Sequence, residues 1–352
     1  MDINLNKESN RLGGDILEML QVGVIGTGAI GRSHIERLNR HVTGARVVAV
    51  SDINRKAAQE IAETYHAKCY AEGEDLIRDP EVQAVIVCSW DPTHEKYVLE
   101  AIRQGKFVFC EKPLAETVEA CKHIVDAEIA GGKQLVQVGF MRRFDRDYLR
   151  MKQALDSGSF GAPLMVHCVH RNATSNDQYE TKVNVTGTAI HEIDAMRWLL
   201  GEDIVSARIV QPRVSRHVAN GNKDPQIIML QTKSGVIIDV ETFLHCRYGY
   251  DVQCEVVSEE GTVRLPDPPQ LSVRRGGKCS FDILEDWRDR FIDAYNAEFQ
   301  SWVDHTRMGI VAGPSAWDGY ASIAVAEACL RSRETGKDEP VSIGETPAFY
   351  QK

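Results

Sequence analysis

The sequence predicts an α/β protein in two parts: an N-terminal Rossmann domain on a parallel sheet, then an α+β domain on a large, mainly antiparallel open sheet. Three observations carry this reading. Between residues 21 and 138, short apolar β-branched runs alternate with helical patterns. Strand, helix, strand in series requires a parallel sheet covered on both faces. A glycine-rich turn joins the first run to the first helix, as a dinucleotide-type domain needs. Past residue 138 the runs look antiparallel, with short glycine turns between them, and long helices close the chain.

Taken in order, residues 1–20 are polar and acidic and read as an extension before the fold, with a short helix as one option. They lack the basic-then-apolar pattern of a secretion signal. Residues 21–138 hold the strand-like runs QVGVIG, ARVVAVSD, QAVIVCS, KFVFCEKP and QLVQVGF. The helical patterns GRSHIERLNR, RKAAQEIAETY, HEKYVLEAIRQG and AETVEACKHIVDAEIAGG lie between them, the last two closed by glycine. Residues 139–352 form the second domain. There the helix FDRDYLRMKQALDSGSFG precedes the run APLMVHCVHRN, a polar loop and the stretch from Gly187 to Gly201, which reads as a short loop running into a helix. Four more strand-like stretches follow, with KSG and EEG as hairpin turns, and then two long helices.

Composition narrows the function classes. Of the 352 residues, 43% are hydrophobic and 26% charged, as in ordinary globular proteins. A net charge of −10 argues against a nucleic-acid-binding surface. No run approaches the ~20 apolar residues that span a bilayer. The nine cysteines include no CxxC pair, so neither a zinc site nor a thioredoxin-type motif is expected. Buried reduced thiols in a cytoplasmic protein, without a metal, are the expectation.

The chemistry-bearing motifs follow the strands. GVIGTGAIG puts Gly26, Gly28 and Gly31 in GxGxxG spacing, after a strand and opening a helix. Gly26 suits the tight turn, Gly28 the approach of a pyrophosphate, and Gly31 the packing of helix on strand. The helix N-terminus offers free N–H groups to phosphate, although a glycine turn with no ligand reads the same way. Asp52 ends the second strand about twenty residues further on, where a carboxylate accepts ribose hydroxyls and repels a 2′-phosphate. NAD is therefore expected over NADP, with Arg55 leaving room for some NADP use; a solvated strand end is the plain alternative for Asp52. Glu111, Lys112 and Pro113 follow a strand ending at the carboxyl edge of the sheet, where ligands sit in such folds. A surface lysine in a turn gives the same tripeptide. MVHCVHRN places Val166, Cys168 and His170 on one face, with Arg171 and Asn172 at the strand end. Tyr248 and Tyr250 share a face, as core aromatics also would.

Together, GTGAIG, EKPLAET, QVGFMRRFD, HRNAT, HEIDAMRWLLGED, YGYDVQCE and GPSAWDGY make the chain resemble the glucose–fructose oxidoreductase/inositol dehydrogenase (Gfo/Idh/MocA) family, most closely its inositol 2-dehydrogenase branch. The resemblance implies NAD-dependent oxidation of a ring secondary hydroxyl to a ketone, on a cyclitol or sugar. It gives Lys112 the reacting oxygen and His191 the hydroxyl proton. Met141, Arg142, Asn172, Asp194 and a tyrosine of the pair Tyr248 and Tyr250 would line the polyol pocket. Ala29, Ile30, Ile53, Ser89, Glu111 and Lys112 would join Gly26, Gly28, Gly31 and Asp52 at the cofactor. Glu192 would point elsewhere. A homodimer or homotetramer through the second sheet is also implied.

One position departs from the pattern. The branch has an aspartate four residues before the histidine, and here that position is Gly187. Losing it removes a partner for Lys112, whose charged form should be less favoured, and removes a side chain beside the substrate. Two alternatives follow: a glycoside or pyranose 3-dehydrogenase accepting a bulky aglycone, and a catalytically weak NAD-binding sensor.

Overall fold

A computed structural model describes residues 19–175, 179–267 and 271–351. The extension expected before the fold, with its optional helix, lies outside the described residues up to position 18.

The first sheet contains β1 (Leu20–Ile25), β2 (Ala45–Ser51), β3 (Lys68–Tyr70), β4 (Ala84–Val87), β5 (Phe107–Glu111) and β6 (Val136–Gly139). All its pairs are parallel, in the order β3-β2-β1-β4-β5-β6. The connecting helices are α1 (Ala29–Arg40), α2 (Arg55–Tyr65), α3 (Gly73–Arg78), α4 (His94–Arg103) and α5 (Val118–Gly131). The order reverses between β1 and β4, which opens a crevice at the carboxyl ends of these strands. β4, β5 and β6 are buried along their whole length, because helices cover both faces and no alternation is needed. The sequence patterns did not reveal β3 and α3, whose three and six residues are too short for periodicity to register.

The second sheet contains β7 (Pro163–Arg171), β8 (Ile204–Val210), β9 (Gln226–Thr232), β10 (Ile237–Phe243), β11 (Asp251–Ser258), β12 (Gly261–Arg264) and β15 (Glu339–Pro340). A separate hairpin pairs β13 (Val273–Arg275) with β14 (Lys278–Ser280). The order β12-β11-β7-β10-β9-β8-β15 is mainly antiparallel, but β7 and β10 run parallel. The sheet is thus mainly antiparallel, as the sequence predicts, with one parallel pair that the sequence patterns did not reveal. α6 (Arg146–Asp156) precedes β7, and α7 (Ile190–Leu200) follows it before β8. The meander β8-β9-β10 then returns with β10 beside β7, so the crossover carries a helix as parallel pairs require.

One face of this sheet is core: Val166, Cys168, Ile238, Val240, Cys254 and Val256 alternate with outward residues. The helices α8 (Trp287–Arg307) and α9 (Ala316–Thr335) bind the two parts together. Phe299 and Trp302 of α8 pack on Phe109 of β5, with ring centroids at 4.3 and 5.8 Å. α9 starts at a capping box on Ser315, whose backbone bridges to Gln137 of β6. The final helices therefore close over the first sheet, and α8 lines the crevice with its first turn and Tyr295. No helix among the described residues is long and apolar enough to cross a membrane. All nine cysteines are free; Cys69 and Cys279 are exposed, against the expectation of burial.

Candidate active site

The nucleotide end is built by the β1–α1 turn. Gly26 has φ +95°, and a Cβ there would collide with the Cys88 backbone, so only glycine fits. A Cβ on Gly31 would run into the Gly26 carbonyl, the close helix–strand approach its position in the motif suggested. Gly28 has open space where a Cβ would stand, and no side chain caps α1, so its first N–H groups are left to a ligand. Asp52 stands at the end of β2 and braces this turn. Its Oδ2 accepts from the Thr27 N–H at 2.5 Å and the Thr27 hydroxyl at 3.0 Å, while Oδ1 accepts from the Asn54 N–H at 2.7 Å. Ala29 and Ile53 are exposed at this edge, and Ile30 and Ser89 line the cavity beyond it. An open anion cradle with a carboxylate at the next strand end fits a dinucleotide.

That cavity encloses about 810 Å³ between the sheet edge, α7 and the start of α8, within the usual size range of ligand sites. Lys112, at the end of β5, reaches into it and donates from Nζ to the Gly187 carbonyl at 3.0 Å. Burial pushes its ammonium pKa down, and Glu111, Asp91 and Glu192 work against that shift while Arg142 adds to it. His191 lines the same cavity from the first turn of α7 and is 7% exposed. Its Nδ1 is buried without a partner among the described residues. Burial, followed by the charges of Lys112, Arg142 and His170, holds the imidazole well below its ordinary pKa, so it is neutral.

Behind this pair lies a buried polar layer. Arg142 is ion-paired with Glu192 and donates from Nη2 to His170 Nδ1 at 3.0 Å. The same His170 Nδ1 lies 3.1 Å from Glu192 Oε1, and its Nε2 faces the Tyr250 hydroxyl at 3.2 Å. Burial lowers the His170 pKa, in keeping with a neutral ring.

Of the expected substrate contacts, Met141, Asn172, Tyr250 and Gly187 line the cavity. Three do not. Arg142 is 1% exposed and spent on Glu192 and His170. Asp194 shares the helix but is held by Arg143, at 2.9 Å from Nε and 2.5 Å from Nη2, because α7 turns that side towards the 3₁₀ turn Met141–Phe144 and α9. Tyr248 does not share a face with Tyr250. Gly249 at φ +148° breaks the extended run, and Tyr248 points outward to bond Asp251 and Arg171.

Gly187 itself is not in a loop. It lies in a π-helical turn, Asn184–Ala189, leading straight into α7. A Cβ on it would meet Val183 Cγ1 at 2.8 Å. The vacated volume therefore lies against Val183, and the carbonyl of the same residue serves Lys112 in place of a carboxylate. The sequence reading missed His170, Thr188, Asp91 and the residues from Glu285 to Arg288 before and at the start of α8, all of which line the cavity. His170 was traceable, since it is the last inward residue of β7, which ends at Arg171. The α8 start carries no local signal, because only the closure of the last helices brings it here.

The description "oxidoreductase family, NAD-binding Rossmann fold" matches residues 20–140, and its C-terminal alpha/beta domain matches residues 152–343. An inositol 2-dehydrogenase of Burkholderia cenocepacia is 52% identical over 334 residues, 94% of this chain and 99% of that protein. One of Ralstonia nicotianae is 53% identical over the same shares. A myo-inositol dehydrogenase of Lactobacillus casei, solved with NAD(H) and myo-inositol, superposes with a TM-score of 0.93. It is 42% identical, over 95% of this chain and all of that one.

Proposed function

The chain belongs to the Gfo/Idh/MocA oxidoreductase family, and we propose that it is an NAD-dependent inositol 2-dehydrogenase, oxidising a ring CH–OH of a cyclitol to a ketone. The observation that carries the proposal is the convergence of Lys112 and His191 on one cavity next to an open dinucleotide cradle.

NAD, held by the Gly26–Gly31 turn and Asp52, supplies the hydride acceptor when bound. The chain's residues handle the proton and the charge. His191, neutral because burial and neighbouring cations disfavour its charged form, is in the right state to accept the hydroxyl proton. Lys112 stabilises the alkoxide that develops as the proton leaves. Met141, Asn172, Tyr250, His170 and Thr188 hold the ring, and the Arg142–Glu192 pair fixes His170 from behind. The glycoside alternative is not favoured, since a Cβ at Gly187 would sit against Val183 Cγ1 at 2.8 Å rather than in open space. The sensor alternative has no observation in its favour.

The nucleotide unit is assigned to residues 21–138 and the substrate unit to 139–352. Self-association is assigned to the open face of the second sheet, where Met165 and Ile237 lie in register and are 41% and 39% exposed. Nine free thiols favour a reducing compartment, and we place the protein in the cytoplasm. The test is NADH formation across inositols, monosaccharides and glucosides. Turnover confined to inositols is expected, with Lys112→Ala or His191→Ala losing ~10²–10⁴-fold in kcat while NADH still binds. Turnover on glucosides alone, or near-normal rates in both variants, overturns the proposal.

A further inference from the structure

The glycine at 187 leaves open what balances the charge of Lys112, and a buried cluster on the opposite side of the lysine answers it. His34 and Arg37 lie on α1, the helix whose first turn forms the dinucleotide cradle, and are 0% and 5% exposed. His34 Nε2 faces Glu111 Oε1 at 2.7 Å, and Arg37 Nη1 faces His34 Nδ1 at 2.6 Å. Arginine can only donate, so Nδ1 accepts and Nε2–H donates to Glu111. The other Glu111 oxygen accepts from the Lys112 N–H at 3.1 Å. Arg37 is fixed in turn by Asn296 of α8, which its Nε reaches at 2.9 Å, and by the rings of Tyr295 and Phe299, over which its guanidinium sits at 5.0 and 5.6 Å. Thus α1, β5 and α8 hold one carboxylate in one orientation, next in sequence to the reacting lysine.

We infer that His34 and Arg37 are positioning residues, which clamp Glu111 as an ionised carboxylate so that it balances Lys112 in place of the aspartate absent at position 187. The clamp is the part of this cluster that chemistry requires. Burial alone would protonate Glu111, yet its pKa is lowered, with the His34 hydrogen bond the largest favourable cause. His34 is itself held neutral by burial. Glu298 of α8, the other carboxyl near Glu111 and Arg37, has both oxygens unpartnered among the described residues and its pKa pushed far up by burial, so it stays protonated. The cluster therefore holds one anion, Glu111, against one cation, Arg37. Cys88 and Tyr295 also border it and stay neutral, with pKa values well above ordinary. On the cavity side, Lys112 faces Asp91 from the loop after β4, Arg142 from the turn after β6, and Glu192 and His191 from α7. Glu111 is the neighbour that most favours its charged form.

The sign follows. Removing the His34 donor lets buried Glu111 take up a proton, Lys112 loses its main anionic neighbour, and its pKa falls. The experiment titrates Lys112 directly, by competitive acetylation of the full chain across pH, with Lys122 on the surface as internal reference and mass spectrometry as readout. Relative to wild type, His34→Leu is expected to lower the Lys112 titration midpoint by about one pH unit. His34→Gln, whose amide can donate to Glu111 and accept from Arg37, should stay near wild type. Arg37→Met, which frees the His34 tautomer, should shift in the same direction as His34→Leu and serves if that variant does not fold. An unmoved midpoint in the folded Leu or Met variant, or a Gln variant shifted as far as Leu, overturns the inference. The high-pH limb of kcat/KM for myo-inositol should move with the midpoint, an arm that rests on the function proposed above. If wild type does not oxidise inositol, that proposal fails while the acetylation result still decides the role of His34.

Discussion

Asp52 bears two loads. It stands where ribose hydroxyls are expected, and it accepts two bonds from Thr27 that brace the glycine turn. Asp52→Ala should therefore weaken NAD as well as relax the preference against NADP, since a lost hydrogen bond to a charged group costs about 1.5–3 kcal/mol. Asp52→Asn keeps an acceptor for Thr27 and removes the charge. It should lower the NAD-to-NADP ratio of kcat/KM by at least about tenfold with a smaller loss of NAD affinity. Equal efficiency with both cofactors in wild type would sink the reading of Asp52. At Gly187 the contact with Val183 Cγ1 sets the sign. Gly187→Asp should destabilise the fold by about 1–3 kcal/mol in chemical denaturation through overpacking, and Val183→Ala should relieve it. In that double variant the new carboxylate should raise the Lys112 pKa and carry the high-pH limb of kcat/KM upward by about one unit. An unmoved limb would show that residue 187 does not reach the lysine's field. These roles differ in how far the sequence exposed them. The glycines and Asp52 declare themselves by spacing, whereas Tyr248 and Tyr250 look equivalent until the φ of Gly249 sends one outward.

Among elements, α7 and the π-helical turn before it concentrate the site's charges. Position along α7 decides their fates: His191 meets the cavity, Glu192 pairs with Arg142, and Asp194 pairs with Arg143. The Glu192 carboxyl is held down to about 2 by Arg142 and then His170, against the cost of burial. A folded pKa below the unfolded one contributes stability that is full above the ordinary carboxyl range, ~4.3, and is lost as pH falls towards 2. Glu192→Gln leaves Arg142 buried without its counter-ion and should cost about 3–5 kcal/mol at pH 7. The gap to wild type should narrow at pH 3, because wild type has by then lost part of the same term. Denaturant unfolding at both pH values checks this, and a gap that stays constant would contradict it. The sequence showed this helix and its acidic start, but not that its first residues continue a π-helical turn. That depends on the backbone meeting β10 and α9 rather than on local composition.

At the scale of the whole molecule, the second sheet leaves one face open. Met165 and Ile237 sit side by side on adjacent parallel strands there, with His167 and Asp239 paired at 2.5 Å one step further along the face. Apolar side chains exposed in register mark an interaction surface when they are contiguous. Sedimentation should find wild type as a dimer or larger assembly, and Met165→Arg with Ile237→Arg should reduce it to a smaller species with unchanged circular dichroism. A monomeric wild type would refute the assignment of this face.

The sequence by itself determined the parallel first sheet, the glycine cradle and the family, and nominated Lys112 and His191 for the proposed chemistry, because each rests on local periodicity or on motifs of residues a few positions apart. The glycine turn is a short-range consequence of backbone sterics, and the apolar strand runs announce the burial that a covered parallel sheet imposes. Only the tertiary structure decided which charges face the cavity. Arg142, Asp194 and Tyr248 left the expected pocket for buried or surface partners, while His170, Thr188 and the start of α8 entered it. The reason is physical: a charge removed from water takes the partner that packing supplies, and the partners of these residues lie tens to hundreds of positions away in the chain. His34, Glu111 and Asn296 meet in one buried network only because α8 closes over the first sheet.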